Sequence, residues 1–222
     1  MQFPTTAPIA VVLDVPAGLI RFIAADRADA TVEVLPADAS KGRDVKAAEQ
    51  IAVGYTDGVL RIEAAQPKSR ILGNSGSVEV TVQLPAGSSV EAKTAAADLR
   101  GVGRLGDVTF EGAQGTVKLD ETAAARLTLQ AGDIAVGRLG GAAQITTSKG
   151  GIRIAEAMGG TVVLRTEAGD LEVGAARGVS ATLDAGTSYG RISNTLQNSA
   201  GAKAGLNIQA TTAYGDITAR SL

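Results

Sequence analysis

The chain contains no cysteine and no histidine in 222 residues. Their absence excludes disulfides, thiolate nucleophiles, zinc and haem sites with their usual ligands, and every histidine-based triad. Tryptophan is absent as well, and Phe and Tyr number only three each. With no run of exposed aromatics, a platform for stacking sugars is lacking. Charge of one sign is also missing: 21 Lys and Arg stand against 23 Asp and Glu. That balance leaves no basic footprint for nucleic acid and no like-charge tail.

Long apolar runs are missing too. The opening Met1 to Pro8 has no basic region, and Ile9 to Leu13 is only five apolar residues before Asp14. That is neither a signal peptide nor a membrane span. It predicts a cytoplasmic location without membrane insertion, or an extracellular one if a leader has been removed. The lack of cysteine is compatible with either compartment. No Gly-x-x-x-x-Gly-Lys-[Ser/Thr] run occurs, so the 28 glycines read as turns rather than phosphate loops.

What is present is a repeat. Thr128-Leu129-Gln130-Ala131-Gly132-Asp133-Ile134-Ala135-Val136 matches Leu164 to Val173 around Gly169-Asp170, and Ile208 to Thr218 around Gly215-Asp216. The shared pattern is an alternating strand, a small polar turn, Gly-Asp, and a second alternating strand. Weaker copies centre on Asp98-Leu99, Thr116-Val117, Gly151-Ile152 and Arg191-Ile192. The aligned positions 98, 116, 133, 151, 170, 191 and 216 are spaced by 18, 17, 18, 19, 21 and 25 residues. Asn194 to Gly205 reads as an inserted loop that stretches the last interval.

Period two sends Leu127 and Leu129 to one face, and Ile134, Val136 and Leu139 continue it beyond the turn. One copy is too short to bury its own apolar face. Stacking copies about 4.8 Å apart does so, each inward Leu, Ile or Val contributing roughly 1.5–3 kcal/mol. Abundant glycine with alternating Thr and Val argues for strands against helices. The fold class is therefore all-β: a parallel β-solenoid, right-handed as crossover connections prefer.

Residues 8–84 alternate without the glycine-turn repeat. Strands are expected at Ile9–Val15, Leu19–Ala24, Thr31–Leu35, Ile51–Tyr55, Val59–Ala64 and Val78–Leu84, with an Asp57-Gly58 hairpin. Val45 to Gln50 suits a helical turn or a strand, and Pro67 to Ser77 reads as a mobile loop. Pro85 to Ser89 separates the halves but is too short for a flexible linker. Residues 1–89 are read as an N-terminal β segment capping the solenoid of residues 90–222, in one continuous domain.

Three pieces carry a family resemblance. They are the paired opening strands through Gly18, Val78 to Gly87 with its strand followed by Leu84-Pro85, and the turns Tyr189-Gly190-Arg191-Ile192 and Tyr214-Gly215-Asp216-Ile217. Over nearly its whole length the chain resembles the bacterial β-strand-repeat proteins called putative adhesins, a family of unknown function. The resemblance implies an architecture and no catalytic residues.

The turn aspartates raise the question of a calcium-binding or polysaccharide-cleaving row. In sequence order acid occupies every second coil, so no carboxylate ladder is expected. The calcium-binding Gly-Gly-x-Gly-x-Asp nonapeptide is missing. Glu172 and Asp170 share a strand face at about 6–7 Å, whereas retaining glycosidases need about 5–5.5 Å. Gly132, Asp133, Gly169, Asp170, Gly190 and Gly215 are therefore read as structural turns, with aspartate bonding its own backbone.

Tyr189 and Tyr214 occupy the same place on adjacent coils and can stack. With Arg191 and Asp216 they form the candidate partner-binding patch. Arginines such as Arg100, Arg138 and Arg153 should alternate with acids on the solvent faces. No catalytic, metal or cofactor site is expected. The reading is a non-enzymatic scaffold for a protein partner or for itself, self-associating through an open last coil near Ile217 and Thr218. The alternative is an adhesin-like module for a protein or glycan, and a carbohydrate-active β-helix enzyme stands third.

Overall fold

The computed structural model describes residues 1–65 and 76–222. The loop read at Pro67 to Ser77 falls almost wholly outside them. In the first part lie β1 (Gln2–Pro4), β2 (Ala10–Asp14), β3 (Ala17–Ala25), β4 (Asp29–Pro36), α1 (Gly42–Glu49), β5 (Ile51–Thr56), β6 (Val59–Ala64), β7 (Val78–Pro85) and β8 (Ser89–Lys93). The repeat region contains β9 (Ala96–Gln114), β10 (Val117–Ala131), β11 (Ile134–Leu139), β12 (Ala143–Lys149), β13 (Ile152–Ala157), β14 (Gly160–Ala168), β15 (Leu171–Ala175), β16 (Ala181–Tyr189), β17 (Ile192–Thr195), β18 (Leu206–Tyr214) and β19 (Ile217–Ser221). The open question at Val45 to Gln50 resolves as α1. Asp57 and Gly58, at φ 51° and 77°, close the expected hairpin between β5 and β6.

All 19 strands of the described residues join one large, mostly parallel sheet. It winds as stacked coils, each giving one strand to either of two ladders, as a solenoid does. The first ladder runs β5, β6, β2, β8, the end of β9, the end of β10, β12, β14, β18, β16. The second runs β1, β4, β7, β3, the start of β9, the start of β10, β11, β13, β15, β19, β17. The register reproduces the repeat alignment. Ile20, Leu99, Val117, Ile134, Ile152, Leu171, Ile217 and Ile192 form one column through the core. The first seven are at most 2% exposed, but Ile192 is 47% exposed.

Spatial order departs from chain order at both ends. The coil β2–β3 lies between β6–β7 and β8–β9. The coil β18–β19 likewise lies between β14–β15 and β16–β17. Each of these coils is thus hydrogen-bonded on both sides. The outermost coil is 181–195, not the one holding Ile217 and Thr218. That overturns the expected open edge: Ile217 is 1% exposed in the interior.

Only two residues of Asn194 to Gly205 belong to β17. The rest brings the chain back past Ser180, whose Oγ accepts from Ala200 N–H at 3.0 Å. This return path is why the last interval is long.

The two ends of the stack also differ. At one, β5 pairs antiparallel on β6, and β4 followed by β1 pairs antiparallel beyond β7. At the other, no strand among the described residues pairs with the outer edge of β16 or β17.

Candidate functional site: the glycine corner and the outermost coil

The corner between the ladders is built by three residue types acting across coils. Gly115, Gly132, Gly150 and Gly215 have φ between 136° and 150°. A Cβ on any of them would overlap the backbone of the neighbouring coil; for Gly132 the obstacle is the Gly115 carbonyl. Glycine is needed here for close approach as well as for backbone conformation.

Threonines stitch the same corner from inside. Thr166 Oγ1 donates to Gly150 O at 3.0 Å, Thr212 Oγ1 to Gly169 O at 3.1 Å, and Thr187 Oγ1 to Gly215 O at 3.1 Å. Thr147 reaches Gly132 O at a longer 3.5 Å. Thr147, Thr166 and Thr212 are buried, so each hydroxyl meets its bonding need with an interior carbonyl. The alternating pattern marked these threonines as strand residues and gave no hint of this role.

The turn aspartates work between coils. Asp98 Oδ1 accepts from Thr116 N–H, Asp133 Oδ1 from Gly151 N–H, Asp170 Oδ1 from Asp216 N–H and Asp216 Oδ1 from Arg191 N–H, all at 2.8 Å. They are turn residues, as expected, but each bonds the next coil rather than its own backbone. Because β18–β19 is inserted, Asp170 and Asp216 sit on adjacent coils. The expected every-second-coil spacing of acid is therefore broken there. The Arg191 N–H on its carboxylate, and then the Arg191 guanidinium, hold Asp216 below the usual carboxylate range.

Among the described residues no three acids gather to hold a metal. Glu172 lies between Arg153 and Arg220, at 3.4 and 3.0 Å, in the alternating charge pattern the sequence suggested. Arg138–Glu156 and Arg100–Asp120 continue it along the second ladder.

The four candidate partner-binding residues come together at the outermost coil. Tyr189 and Tyr214 stack with centroids 5.0 Å apart and planes 3° apart. They are 68% and 59% exposed, while Phe22 and Phe110 are fully buried. The ring pair therefore stands in solvent and does not seal the solenoid edge. Across the turn, Arg191 Nη2 lies 3.3 Å from Asp216 Oδ2. Inward from the edge, Leu183 and Ala185 of β16 are only partly buried against the core.

A coil stack with glycine corners and inter-coil aspartates defines a β-strand-repeat protein. The family model for Toastrack DUF4097 matches residues 10–221, and the chain belongs to that family. Among solved structures it is similar to a putative adhesin from Parabacteroides distasonis ATCC 8503, at 15% identity and TM-score 0.51, covering 100% of this chain and 95% of that one. A putative cell adhesion protein from Clostridium sporogenes ATCC 15579 gives 14% identity and TM-score 0.43, covering 99% and 96%. A putative lipid binding protein from Parabacteroides distasonis ATCC 8503 gives 11% and 0.45, covering 99% and 95%. No curated protein matches the chain. No helix among the described residues is long and apolar enough to cross a membrane.

Proposed function

We propose that the protein is a non-enzymatic interaction scaffold that self-associates through its outermost coil, β16–β17. The edge of that coil, which no strand among the described residues covers, carries the reading, although its first N–H, that of Ala181, is taken by Gln197 O at 3.0 Å. An open edge strand is a template for another strand, and proteins that avoid pairing blunt it with lysine, proline or a bulge. β16 reads Ala-Thr-Leu-Asp-Ala-Gly-Thr-Ser-Tyr and β17 Ile-Ser-Asn-Thr. Neither has lysine or proline, and Asp184 is the one charge in the two strands. Inward of the edge, the half-exposed Ile192 and the partly buried Leu183 gain burial if a second layer covers them.

A second copy fits this edge by symmetry. A two-fold axis across the stack sets both edge strands antiparallel to a partner's two edge strands at once, an isologous contact that closes as a dimer. Antiparallel closure is the solution already used at the other end, by β5 on β6 and by β4 on β7.

Light scattering on a size-exclusion column across a hundredfold concentration range tests the reading. A monomer passing to a dimer supports it, and a strict monomer throughout defeats it.

A further inference from the structure

Tyr189 and Tyr214 stand at the same position on neighbouring coils, in register at the ends of β16 and β18. The backbone beneath them is bonded on both sides of the pair. Gly215 N–H donates to Tyr189 O at 2.9 Å, Thr187 Oγ1 donates to Gly215 O at 3.1 Å, and Arg191 N–H donates to Asp216 Oδ1 at 2.8 Å. The two phenol rings are therefore held face to face, 5.0 Å between centroids and 3° between planes, and both are exposed. Tyr55, the third tyrosine, lies on β5 at the opposite end of the first ladder. Its aromatic neighbour at 5.5 Å is Phe3, which carries no hydroxyl. Cysteine and tryptophan, the side chains that compete with tyrosine for one-electron oxidation, are absent. An oxidant that takes single electrons thus meets two solvent-facing phenols that are already stacked.

We infer that Tyr189 and Tyr214 are a site of oxidative cross-linking, joined as dityrosine by a peroxide-driven one-electron oxidant. Each phenol loses one electron and its hydroxyl proton, which leaves two phenoxyl radicals. The radicals combine in a carbon–carbon bond between one Cε of each ring. The hydrogen on each joined carbon leaves as a proton and each oxygen regains one, so both phenols are restored. The protein loses two hydrogen atoms in all, and one hydrogen peroxide accepts the two electrons and two protons and leaves as two waters. The step stays within one chain, because a fixed pair reacts at a far higher effective concentration than two chains meeting in solution. The cross-link also has a structural consequence. The strands of coil 181–195 pair on one side only, with β18 and β19, so its opening costs less than that of an interior coil. A bond from Tyr189 to Tyr214 pins that coil to its inner neighbour and divides the loop it forms when it opens. The inference does not rest on self-association, because both rings belong to one chain.

The test treats dilute protein with hydrogen peroxide and a haem peroxidase. The expected product is a monomer lighter by two hydrogens, with dityrosine fluorescence and with tryptic peptides 178–191 and 204–220 joined. Oxygen uptake at the exposed Met1 and Met158 raises the mass and is told apart by that sign. Tyr189→Phe keeps the ring and removes the hydroxyl, so it should abolish the product, whereas Tyr55→Phe should leave the yield unchanged. In the cross-linked protein, exchange of the β16 amides bonded to β18 should slow roughly tenfold. The inference is overturned if no cross-linked monomer forms, if the joined peptides carry Tyr55, if cross-linked dimers are the main product, or if Tyr189→Phe still gives the fluorescent monomer. Unchanged exchange across β16 would overturn the tethering.

Discussion

Replacing Gly132 with alanine places one methyl group where the stack has no room. Gly132 sits at φ 137°, and its Cβ would overlap the Gly115 carbonyl of the coil below. Forcing a side-chain-bearing residue into such a conformation costs about 1–3 kcal/mol. The overlap also requires the coils to part. That strains the 2.7 Å bond from Gly132 N–H to Lys149 O, worth about 1 kcal/mol. The total is roughly 3 kcal/mol, and a chain of this length loses about 2–4 °C in Tm per kcal/mol. Thermal unfolding followed by far-ultraviolet circular dichroism should fall by roughly 10 °C. Gly186→Ala is the matched control, since nothing lies within 4 Å of its Cβ position. It should be neutral or gain about 0.4–1 kcal/mol from a less flexible unfolded chain. Equal Tm values for Gly132→Ala and the unaltered protein would refute the close-approach reasoning.

Thr166→Val removes the hydroxyl bonded to Gly150 O and should cost about 1 kcal/mol in urea unfolding. Ile217→Asp buries a carboxylate in the core column and should abolish cooperative folding, whereas Ile192→Asp should leave the circular dichroism spectrum intact. Asp38 is held down to about 2, first by the Ser40 hydroxyl and then by Lys41. With the folded value depressed, its contribution is present above the ordinary carboxylate pKa and is lost as pH falls toward about 2. A carbon-detected NMR titration of the Asp38 carboxyl should give a midpoint near 2, and a midpoint near 4 would contradict the Ser40 contact.

Much of this architecture is legible in the residues. Leu99, Val117, Ile134, Ile152 and Leu171 share a column because each follows its turn at the same offset, and alternation fixes which face they take. The Gly-Asp pairs locate three of the corners and their spacing the rest, and Asp57-Gly58 locates its hairpin. Spatial order is different, because equivalent repeats carry equivalent residues. Nothing in Ile192 and Ile217 themselves says which coil lies outside.

A fainter signal was available in the inward set. Asn194 occupies the row of Val136, Ile154, Val173 and Ala219. An exposed amide at a core position marks the coil that has no neighbour. The threonine stitching is hidden for a related reason: alternation reports which way Thr166 points, but its bond to Gly150 depends on the coil beneath. The tyrosine pair could be anticipated because both rings precede a turn glycine at the same offset.

Self-association through β16–β17 is the central claim, and its most direct measurement compares two proteins by light scattering. The unaltered chain should pass from monomer to dimer as concentration rises a hundredfold. Ile192→Lys, with its circular dichroism unchanged, should remain monomeric, because a buried ammonium without a partner is disfavoured at the joined edge. A strict monomer for both proteins, or a dimer that persists in Ile192→Lys, would contradict the account.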